Sequence, residues 1–263
     1  MTLAIETRGR GPVPMVWIHG WAMHAGIFEP LIEALEDRCT LYLVDLPGHG
    51  HSADSTLSLD PQVCADAIAA RVPPAWWLGW SLGGLVAMQA ALRHREHIRG
   101  LFMLCATPRF LRAEDWPHGS DPAQLQALAT SLQQDYHGTI DRFLSLEALG
   151  SSDPKAELRT LRREAFARGE PRLEALQQGL SILEQVDLRA DLQQLRLPGA
   201  WIGGRRDRVV HPAQLRTAAT VAGMDYVQMD HAGHAPFIGH AGELAEVIAR
   251  HFPGSTGTES VHV

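Results

Sequence analysis

The sequence has little of several residue types, and each shortage excludes a class of protein. Its three cysteines, Cys39, Cys64 and Cys105, lie far apart and form no C-x-x-C pair, so neither a disulfide framework nor a metal site is expected. No apolar stretch reaches the ~18 residues of a membrane-spanning helix, and the first residues lack the pattern of a signal peptide. Lys155 is the single lysine. We therefore expect a soluble, cytoplasmic protein, with buried free thiols at Cys39 and Cys105, which border or lie in apolar runs.

The chain length and the net charge exclude further classes of protein. The chain has 263 residues, which fits one large domain or a core with an insertion. Its 23 basic residues against 30 acidic ones give a net charge of −7, whereas nucleic-acid binders carry a basic footprint. A hydrophobic fraction of 45% is that of a globular chain. No nucleic-acid partner is expected.

Short apolar runs alternate with longer helical patterns along most of the chain. Continuous apolar strands separated by helices are typical of a parallel sheet that is covered on both faces. The sequence therefore predicts an α/β fold. The predicted strands span 14–20, 39–48, 75–80, 100–108, 198–204 and 224–230, and the predicted helices span 27–36, 61–71, 82–97, 211–222 and 241–251.

The middle of the chain interrupts this alternation. Residues 109–185 contain helical patterns and no convincing strand, and Asp121 and Asp153 each precede a proline at a helix start. A helical insertion over the carboxyl ends of the strands would act as a lid. The predicted organisation is an α/β core at 1–108 and 186–252, a helical lid at 109–185, and a flexible tail at 253–263.

Gly79-Trp80-Ser81-Leu82-Gly83 fits the G-x-S-x-G pattern of a nucleophile elbow. The pattern alone is weak, but here it joins a predicted strand to a predicted helix. A serine on such a sharp turn has a strained backbone, and side chains two residues before and after it would collide. The alternative is a glycine-rich turn with a solvated serine. We predict that Ser81 is a nucleophile.

A serine hydroxyl needs a base, and the base needs an orienting acid. In this kind of fold the chain order is serine, acid, histidine. Asp207 and His234 each follow a predicted strand, so they are expected at the same sheet edge as Ser81. Two alternatives stay open at this point: Asp207 could pair with its arginine neighbours, and His231 could replace His234.

Acyl transfer also requires donors for the developing oxyanion. The backbone N–H of Leu82, directly after the nucleophile, is one candidate. The N–H of Trp21, in the loop after the first predicted strand, is the other. The Trp21 indole either lines the acyl pocket or serves only in packing.

Longer motifs extend this reading over nearly the whole chain. HGW at 19–21, LVDLPGHG at 43–50, WLGWSLGGLVA at 77–87 and HAPFIGH at 234–240 resemble the α/β-hydrolase superfamily. DRFLSLEALG at 141–150 and ILEQVDLR at 182–189 add to a closer resemblance, to the pimeloyl-[acyl-carrier protein] methyl ester esterases of biotin synthesis. The resemblance implies an α/β-hydrolase fold with a mostly parallel sheet and a helical lid inserted after the fifth or sixth core strand.

The resemblance also implies an activity and a site. The activity is that of a cytoplasmic serine carboxylesterase which needs no cofactor or metal and releases methanol from a pimeloyl methyl ester on acyl carrier protein. A monomer is the default expectation. The implied triad is Ser81, Asp207 and His234. Implied substrate contacts are Trp21, Ser81, Leu82, Phe143, Leu144, Ser145, Leu146, Glu147 and His234, and implied carrier-protein contacts are Arg142, Lys155 and Arg159. Gly138 stands where a further basic residue is expected.

Two other functions remain open on sequence grounds. One is another hydrolase of the same fold, a general short-chain carboxylesterase, a thioesterase or a carbon–carbon bond hydrolase, since the lid sets the acyl preference. The other is a ligand receptor with a hydrolase fold. Turnover rate separates the receptor from the enzymes.

Overall fold

The computed structural model describes residues 3–253 of the chain, and a seven-stranded sheet forms their centre. The strand order is β1-β3-β2-β4-β5-β6-β7. β1 pairs antiparallel with β3 at one edge, and the other five pairings are parallel. The strands are β1 Ala4–Arg8, β2 Val13–Ile18, β3 Cys39–Asp45, β4 Ala75–Trp80, β5 Ile98–Leu104, β6 Gly199–Gly204 and β7 Asp225–Met229.

Helices cover both faces of the sheet, as parallel strands require because each crossover must pass over a face. α1 packs against α11, while α2 packs against α3. The helices are α1 Glu29–Leu35, α2 Pro61–Ala69, α3 Leu82–Arg93, α4 Pro122–Gln134, α5 Tyr136–Ala148, α6 Pro154–Ala165, α7 Leu173–Gln185, α8 Leu192–Leu195, α9 Pro212–Ala222, α10 Pro236–Gly239 and α11 Ala241–Ala249.

The central elements are apolar on all sides because they are enclosed on all sides. Every residue of β4 is buried, and so is every residue of α3 from Leu82 to Ala91. Four tryptophans fill the space around these elements. They are Trp17, Trp77, Trp80 and Trp201, all fully buried. The densest part of the core therefore lies directly beneath the strand-to-helix turn at Ser81.

The helical insertion, called the lid, lies between β5 and β6. Aspartates cap the first turns of three of its helices. Asp121 and Asp153 each accept a hydrogen bond from a backbone N–H in the first turn, and a proline follows each of them. Asp135 caps α5 in the same way. Four helices, α4 to α7, result, and the predicted fold class is confirmed with the insertion after the fifth strand.

All six predicted strands are present, but β1 was not predicted from the sequence. This strand is short, lies at the sheet edge and is mostly half-buried, so it has no continuous apolar run. The predicted helix at 27–36 is a short 3-10 segment, Ala25–Phe28, followed by α1. From residue 254 onward the predicted tail lies outside the described residues. Among residues 3–253, no helix has the length and hydropathy needed to cross a membrane.

Candidate active site

Ser81 occupies a strained turn between β4 and α3. Its backbone has φ 53° and ψ −120°, a conformation that non-glycine residues rarely adopt. The turn is held from below, because the Ser81 N–H donates to the carbonyl oxygen of Leu104 at 3.0 Å. Strain maintained by such surroundings is characteristic of functional residues. The hydroxyl reaches the cavity described below.

The two glycines of the G-x-S-x-G pattern are required by close backbone approaches. A Cβ on Gly79 would lie 2.4 Å from the carbonyl oxygen of Gly83. A Cβ on Gly83 would lie 2.4 Å from the carbonyl oxygen of Ile18, at the end of β2. Both distances are far below normal contact, and the atoms met are backbone atoms that cannot rotate away. The elbow therefore needs glycine at both positions.

The acid and the base predicted from the sequence lie together. His234 Nδ1 is 2.8 Å from Asp207 Oδ2, and both side chains are almost fully buried. Asp207 Oδ1 accepts two further hydrogen bonds, from the backbone N–H groups of Val209 and Val210 at 2.8 and 2.9 Å. These contacts keep the carboxylate in place and leave Nδ1 of His234 as the proton-bearing nitrogen.

The structure also bears on the alternatives for these two positions. Within residues 3–253, no arginine forms an ion pair with Asp207, and the neighbouring Arg205 pairs with Asp230 instead, at 3.4 Å. His231 is exposed, whereas His234 is fully buried. The geometry therefore favours Asp207 and His234 over an exposed ion pair and over His231.

The Trp80 side chain fixes His234 close to the elbow. The Trp80 indole N–H donates to the His234 carbonyl oxygen at 2.9 Å, and the two rings are 5.6 Å apart. Within the described part of the chain, Ser81 Oγ makes no hydrogen bond to His234 Nε2, which is a buried nitrogen without a partner. Catalytic contacts of this kind often tighten only when substrate binds.

The loop after β2 brings the second predicted oxyanion donor to the elbow. A Cβ on Gly20 would lie 3.2 Å from Ser81 Cβ, so the loop passes directly over the serine. The backbone N–H groups of Trp21 and Leu82 donate to no protein acceptor among residues 3–253. The N-terminal end of α3 adds a positive dipole at the same place. Both N–H groups are thus free for an oxyanion.

His19, which the sequence reading treated only as part of a motif, holds this loop. Its Nε2 accepts from the Leu46 N–H at 2.9 Å, so the ring proton is on Nδ1, which donates to the Gly20 carbonyl oxygen at 2.8 Å. Burial lowers the pKa of His19 to about 3, which keeps the ring neutral. The HGW motif at 19–21 was the available signal for this positioning role.

An apolar cavity of about 320 Å³ opens beside Ser81. Its walls come from the segment that follows β5, from the lid helices and from the loop that carries Asp207. Phe143 and Leu146 face it from α5, and Arg208, which the sequence reading did not single out, lines it as well. The other lining residues are Phe110, Leu111, Ser120, Gln124, Leu125, Ala127, Leu128, Ser131, Arg142, Leu183 and Val209.

The predicted substrate segment 143–147 is divided by the faces of α5. Phe143 and Leu146 line the cavity, whereas Leu144 and Ser145 do not. Leu144 is buried and borders a separate depression beside α6, and the Ser145 hydroxyl donates to the Asp141 carbonyl oxygen. Glu147 is fully buried and faces His234 rather than the cavity.

The Trp21 side chain connects the loop to the lid instead of lining the cavity. Its indole N–H donates to the Leu176 carbonyl oxygen on α7 at 2.9 Å. Its ring meets the Phe143 ring edge-on with centroids 4.8 Å apart. Gly179 packs against the same indole, since a Cβ there would lie 2.7 Å from Trp21 Cδ1. The indole is therefore a packing anchor, while the backbone N–H is the candidate donor.

The predicted docking residues lie on the outer surface of the lid. Lys155 and Arg159 are exposed, one turn apart on α6, and they form no ion pair among the described residues. Arg142 is also exposed but bonds to Asp135 and Thr139. Four other basic residues nearby are neutralised by carboxylates; these are Arg162, Arg163, Arg168 and Arg172.

Cys105, Asp207 and His234 place their polar side-chain atoms within 4.8 Å of one another, a spacing that one metal ion can span. His234 Nδ1 is already committed to Asp207, and burial raises the pKa of the Cys105 thiol well above its usual value. A neutral thiol is a poor metal ligand. The arrangement suits proton transfer by His234 better than metal binding.

Comparison with known protein families shows the fold and the family of the chain. Residues 15–247 match the model of the alpha/beta hydrolase family. The chain is 50% identical to the pimeloyl-[acyl-carrier protein] methyl ester esterase of Stenotrophomonas maltophilia strain R551-3, over 94% of this chain and 95% of that protein. It is 49% identical to the esterase of the same name from Xanthomonas oryzae pv. oryzae strain MAFF 311018, over 94% and 97%.

Solved structures of distant proteins share the same fold. An esterase from Exiguobacterium antarcticum superimposes with a TM-score of 0.84 at 21% identity, covering 93% of this chain and 92% of that one. The enol-lactonase from Burkholderia xenovorans LB400 gives a TM-score of 0.78 at 20% identity, covering 93% and 94%. At such identities the likeness concerns the fold alone.

Proposed function

Because the chain belongs to the alpha/beta hydrolase family, we propose that it is a serine carboxylesterase with the specificity of its close relatives. The reaction is hydrolysis of the methyl ester of pimeloyl-[acyl-carrier protein] to pimeloyl-[acyl-carrier protein] and methanol. This reaction is a step in the synthesis of biotin.

One observation carries the proposal: about half of the residues are identical to esterases of this name over almost the full length of both chains. The site contains the groups that ester hydrolysis requires. A strained serine, a buried Asp207–His234 pair and two free N–H groups are assembled at one sheet edge.

Acylation follows from the geometry of these groups. His234 Nε2 takes the Ser81 proton as Oγ attacks the ester carbonyl carbon, and Asp207 stabilises the imidazolium that forms. The N–H groups of Trp21 and Leu82 bind the tetrahedral oxyanion. The carbon–oxygen bond to the methoxy group then breaks, and the departing oxygen receives the proton from Nε2.

Deacylation repeats these steps with water as the nucleophile. Water loses a proton to Nε2 as its oxygen attacks the acyl carbon, and Ser81 Oγ leaves with that proton. The product carries a free carboxylate at the end of the acyl chain that was methylated. No further group is needed for this sequence of proton transfers.

The cavity beside Ser81 is suited to the acyl chain. Its volume of about 320 Å³ is at the lower end of ligand sites, and the inner walls are mostly apolar. Arg142 and Arg208 lie among its lining residues, so the chain would pass between a dry interior and a basic rim. The carrier protein would then remain outside.

The docking surface that we propose for the acidic carrier protein is the exposed face of α6 with Lys155 and Arg159, continued by Arg142. Lys155 and Arg159 are the charges best suited to steering, because no carboxylate among residues 3–253 neutralises them. A Cβ at Gly138 would meet the Asp135 carboxylate, which accepts a hydrogen bond from the Gly138 N–H and caps α5. We further propose a cytoplasmic location, which the resemblance implies, and a monomeric state as the default.

The test uses the purified carrier protein that bears the pimeloyl methyl ester, with its mass followed over time. We expect the loss of one methylene, with methanol as the second product, and no change with Ser81→Ala. Loss of the whole acyl group would indicate a thioesterase. No reaction in a sample that still cleaves p-nitrophenyl butyrate would refute the substrate and leave a general carboxylesterase.

A further inference from the structure

A buried carboxyl from the lid faces the catalytic base. Glu147, in the last turn of α5, has no exposed side-chain surface, and its Oε1 is 3.9 Å from Nε2 of His234. Neither carboxyl oxygen of Glu147 has a hydrogen-bond partner within residues 3–253, and His234 Nε2 has none either. Three polar atoms without a protein partner thus lie close together in a fully buried part of the site.

The surroundings of Glu147 keep the carboxyl neutral. The ionisable groups near it are His234, Asp207 in the loop after β6, and Glu157 on α6, with Cys105 close to Asp207. Burial, together with the charges of Asp207 and Glu157, raises the pKa of the Glu147 carboxyl well above its usual range. A carboxylic acid held in its neutral form can both accept and donate one hydrogen bond.

Leaving such groups unpaired is costly. A buried polar atom without a partner has lost its hydrogen bonds to water and gained none in the protein. The 3.9 Å between Glu147 Oε1 and His234 Nε2 is too long for a direct hydrogen bond. A small hydroxylic molecule between them would bond to both, and polar contacts of this length are commonly bridged in that way.

His234 Nε2 also accepts and donates the protons that move in the proposed reaction. The departing methanol oxygen receives its proton there, and the hydrolytic water gives its proton there. Both oxygens must therefore occupy the space in front of this nitrogen, and Glu147 borders that space. The acyl chain lies elsewhere, because Phe143 and Leu146 rather than Glu147 face the cavity.

We propose that Glu147 is a positioning residue that holds the hydrolytic water against His234 Nε2. This inference rests on the Ser81, Asp207 and His234 triad of the proposed function. One hydrogen of the water bonds to a Glu147 oxygen, and the other passes to Nε2 as the water oxygen attacks the acyl carbon. The bond from that carbon to Ser81 Oγ breaks, and Oγ takes the proton from Nε2, so Glu147 neither gains nor loses a proton.

The experiment separates acylation from deacylation with p-nitrophenyl butyrate in a rapid-mixing instrument. Nitrophenolate leaves without a proton, so acylation does not depend on a positioned hydroxyl. With Glu147→Met we expect rapid release of one equivalent of nitrophenolate, followed by turnover about 10- to 100-fold slower than wild type. Intact mass should show a butyryl group on Ser81 accumulating in this variant.

Two further variants make the result specific. Glu147→Gln keeps the shape and an acceptor oxygen, so its deacylation should stay within about threefold of wild type. Glu184→Met, an exposed glutamate of α7, makes the same exchange in the lid away from the site and should leave both phases unchanged. Melting temperatures of all variants verify folding, and Glu147→Leu replaces Glu147→Met if the latter does not fold.

The proposal is overturned if Glu147→Met slows acylation and deacylation by the same factor, or if it changes neither. An equal loss in Glu147→Gln and Glu147→Met would also overturn it, because it would assign the effect to packing. The butyrate assay needs neither the pimeloyl group nor the carrier protein. Failure of the proposed substrate would therefore leave this result unaffected.

Discussion

The two walls of the active site are built differently. In the wall made by the core, Asp207 accepts three hydrogen bonds and His19 makes two. In the wall made by the lid, Glu147 makes none, and Glu157 Oε1 is buried without a partner. Both walls are buried to a similar degree, so burial does not explain the contrast.

This difference indicates which part of the site is complete before substrate arrives. Hydrogen bonds from backbone groups fix the core wall as soon as the sheet has formed, which is the preorganisation that catalysis requires. The lid wall keeps polar groups without a protein partner, and such groups become paired when water or a ligand enters. We interpret the core wall as the catalytic frame and the lid wall as the part that the reactants complete.

The two walls also respond to pH in opposite directions. Burial lowers the pKa of His19 to about 3, so the folded state resists protonation and stability falls as the pH drops below 6.5. Burial raises the pKa of Glu157 to about 8, so the folded state resists ionisation and stability falls as the pH rises above 4.5.

The largest effect is expected from breaking the catalytic frame itself. Ser81→Ala or His234→Ala should lower kcat for any ester by about 10⁴-fold or more, because nucleophile and base act as one unit. The fold of Ser81→Ala should persist, since the Ser81 side chain makes no capping hydrogen bond to α3. His234→Ala should lower the stability as well, because it removes the buried bond to Asp207. Ester hydrolysis and thermal unfolding measure the two quantities. Turnover above a hundredth of wild type would contradict the assignment.

Breaking the frame through its backbone should cost stability as well as activity. A Cβ at Gly83 would lie 2.4 Å from the Ile18 carbonyl oxygen. We expect Gly83→Ala to lower the free energy of unfolding by about 2–3 kcal/mol. Gly242→Ala in α11, where a Cβ would meet no atom within 4 Å, is the matched control and should be neutral or stabilising. Equal effects of both changes in urea unfolding would refute the close approach.

The outer surface of the lid should matter only for the carrier protein. Reversing the charges of Lys155 and Arg159 to glutamate should lower kcat/KM for the carrier-bound ester about tenfold at low salt, and less at high salt. Hydrolysis of p-nitrophenyl butyrate should not change. The control is charge reversal of Arg99 and Arg196. Both are exposed and lie at the amino-terminal ends of strands, Arg99 in β5 and Arg196 shortly before β6. Equal losses for both substrates would reject the docking surface.

The smallest effect is expected from a change at Glu157, and it tests the opposite pH dependence of the two walls. Glu157→Gln removes an ionisation that burial displaces from 4.5 to about 8. The variant should therefore gain about 1–3 kcal/mol of unfolding free energy over wild type at pH 8, and little or nothing at pH 5. Urea unfolding at the two pH values measures the gain. A gain that is the same at both would contradict the displaced pKa.

The sequence predicted the core wall better than the lid wall, and the reason is physical. Ser81, Asp207 and His234 follow strands of one parallel sheet, so the topology alone brings them to one edge. The alternation of apolar residues was enough to find those strands, but not β1, whose half-buried residues alternate only weakly.

Side-chain directions in the lid could not be read in the same way. Residues 143–147 lie on one helix, and its rotation decides that Phe143 faces the cavity, Leu144 does not, and Glu147 faces His234. That rotation is set by contacts distant in sequence, such as Phe143 with Trp21. The hydrogen bonds of His19 were hidden for the same reason, because Leu46 is far from it along the chain.

The most direct test of the proposed acyl transfer is a crystal structure of Ser81→Ala with the carrier-bound pimeloyl methyl ester. We expect the ester carbonyl oxygen at about 2.7–3.1 Å from the backbone nitrogens of Trp21 and Leu82. We also expect the acyl chain in the cavity lined by Phe143 and Leu146. An ester group bound away from these two nitrogens, in a complex that the wild type turns over, would refute this oxyanion site.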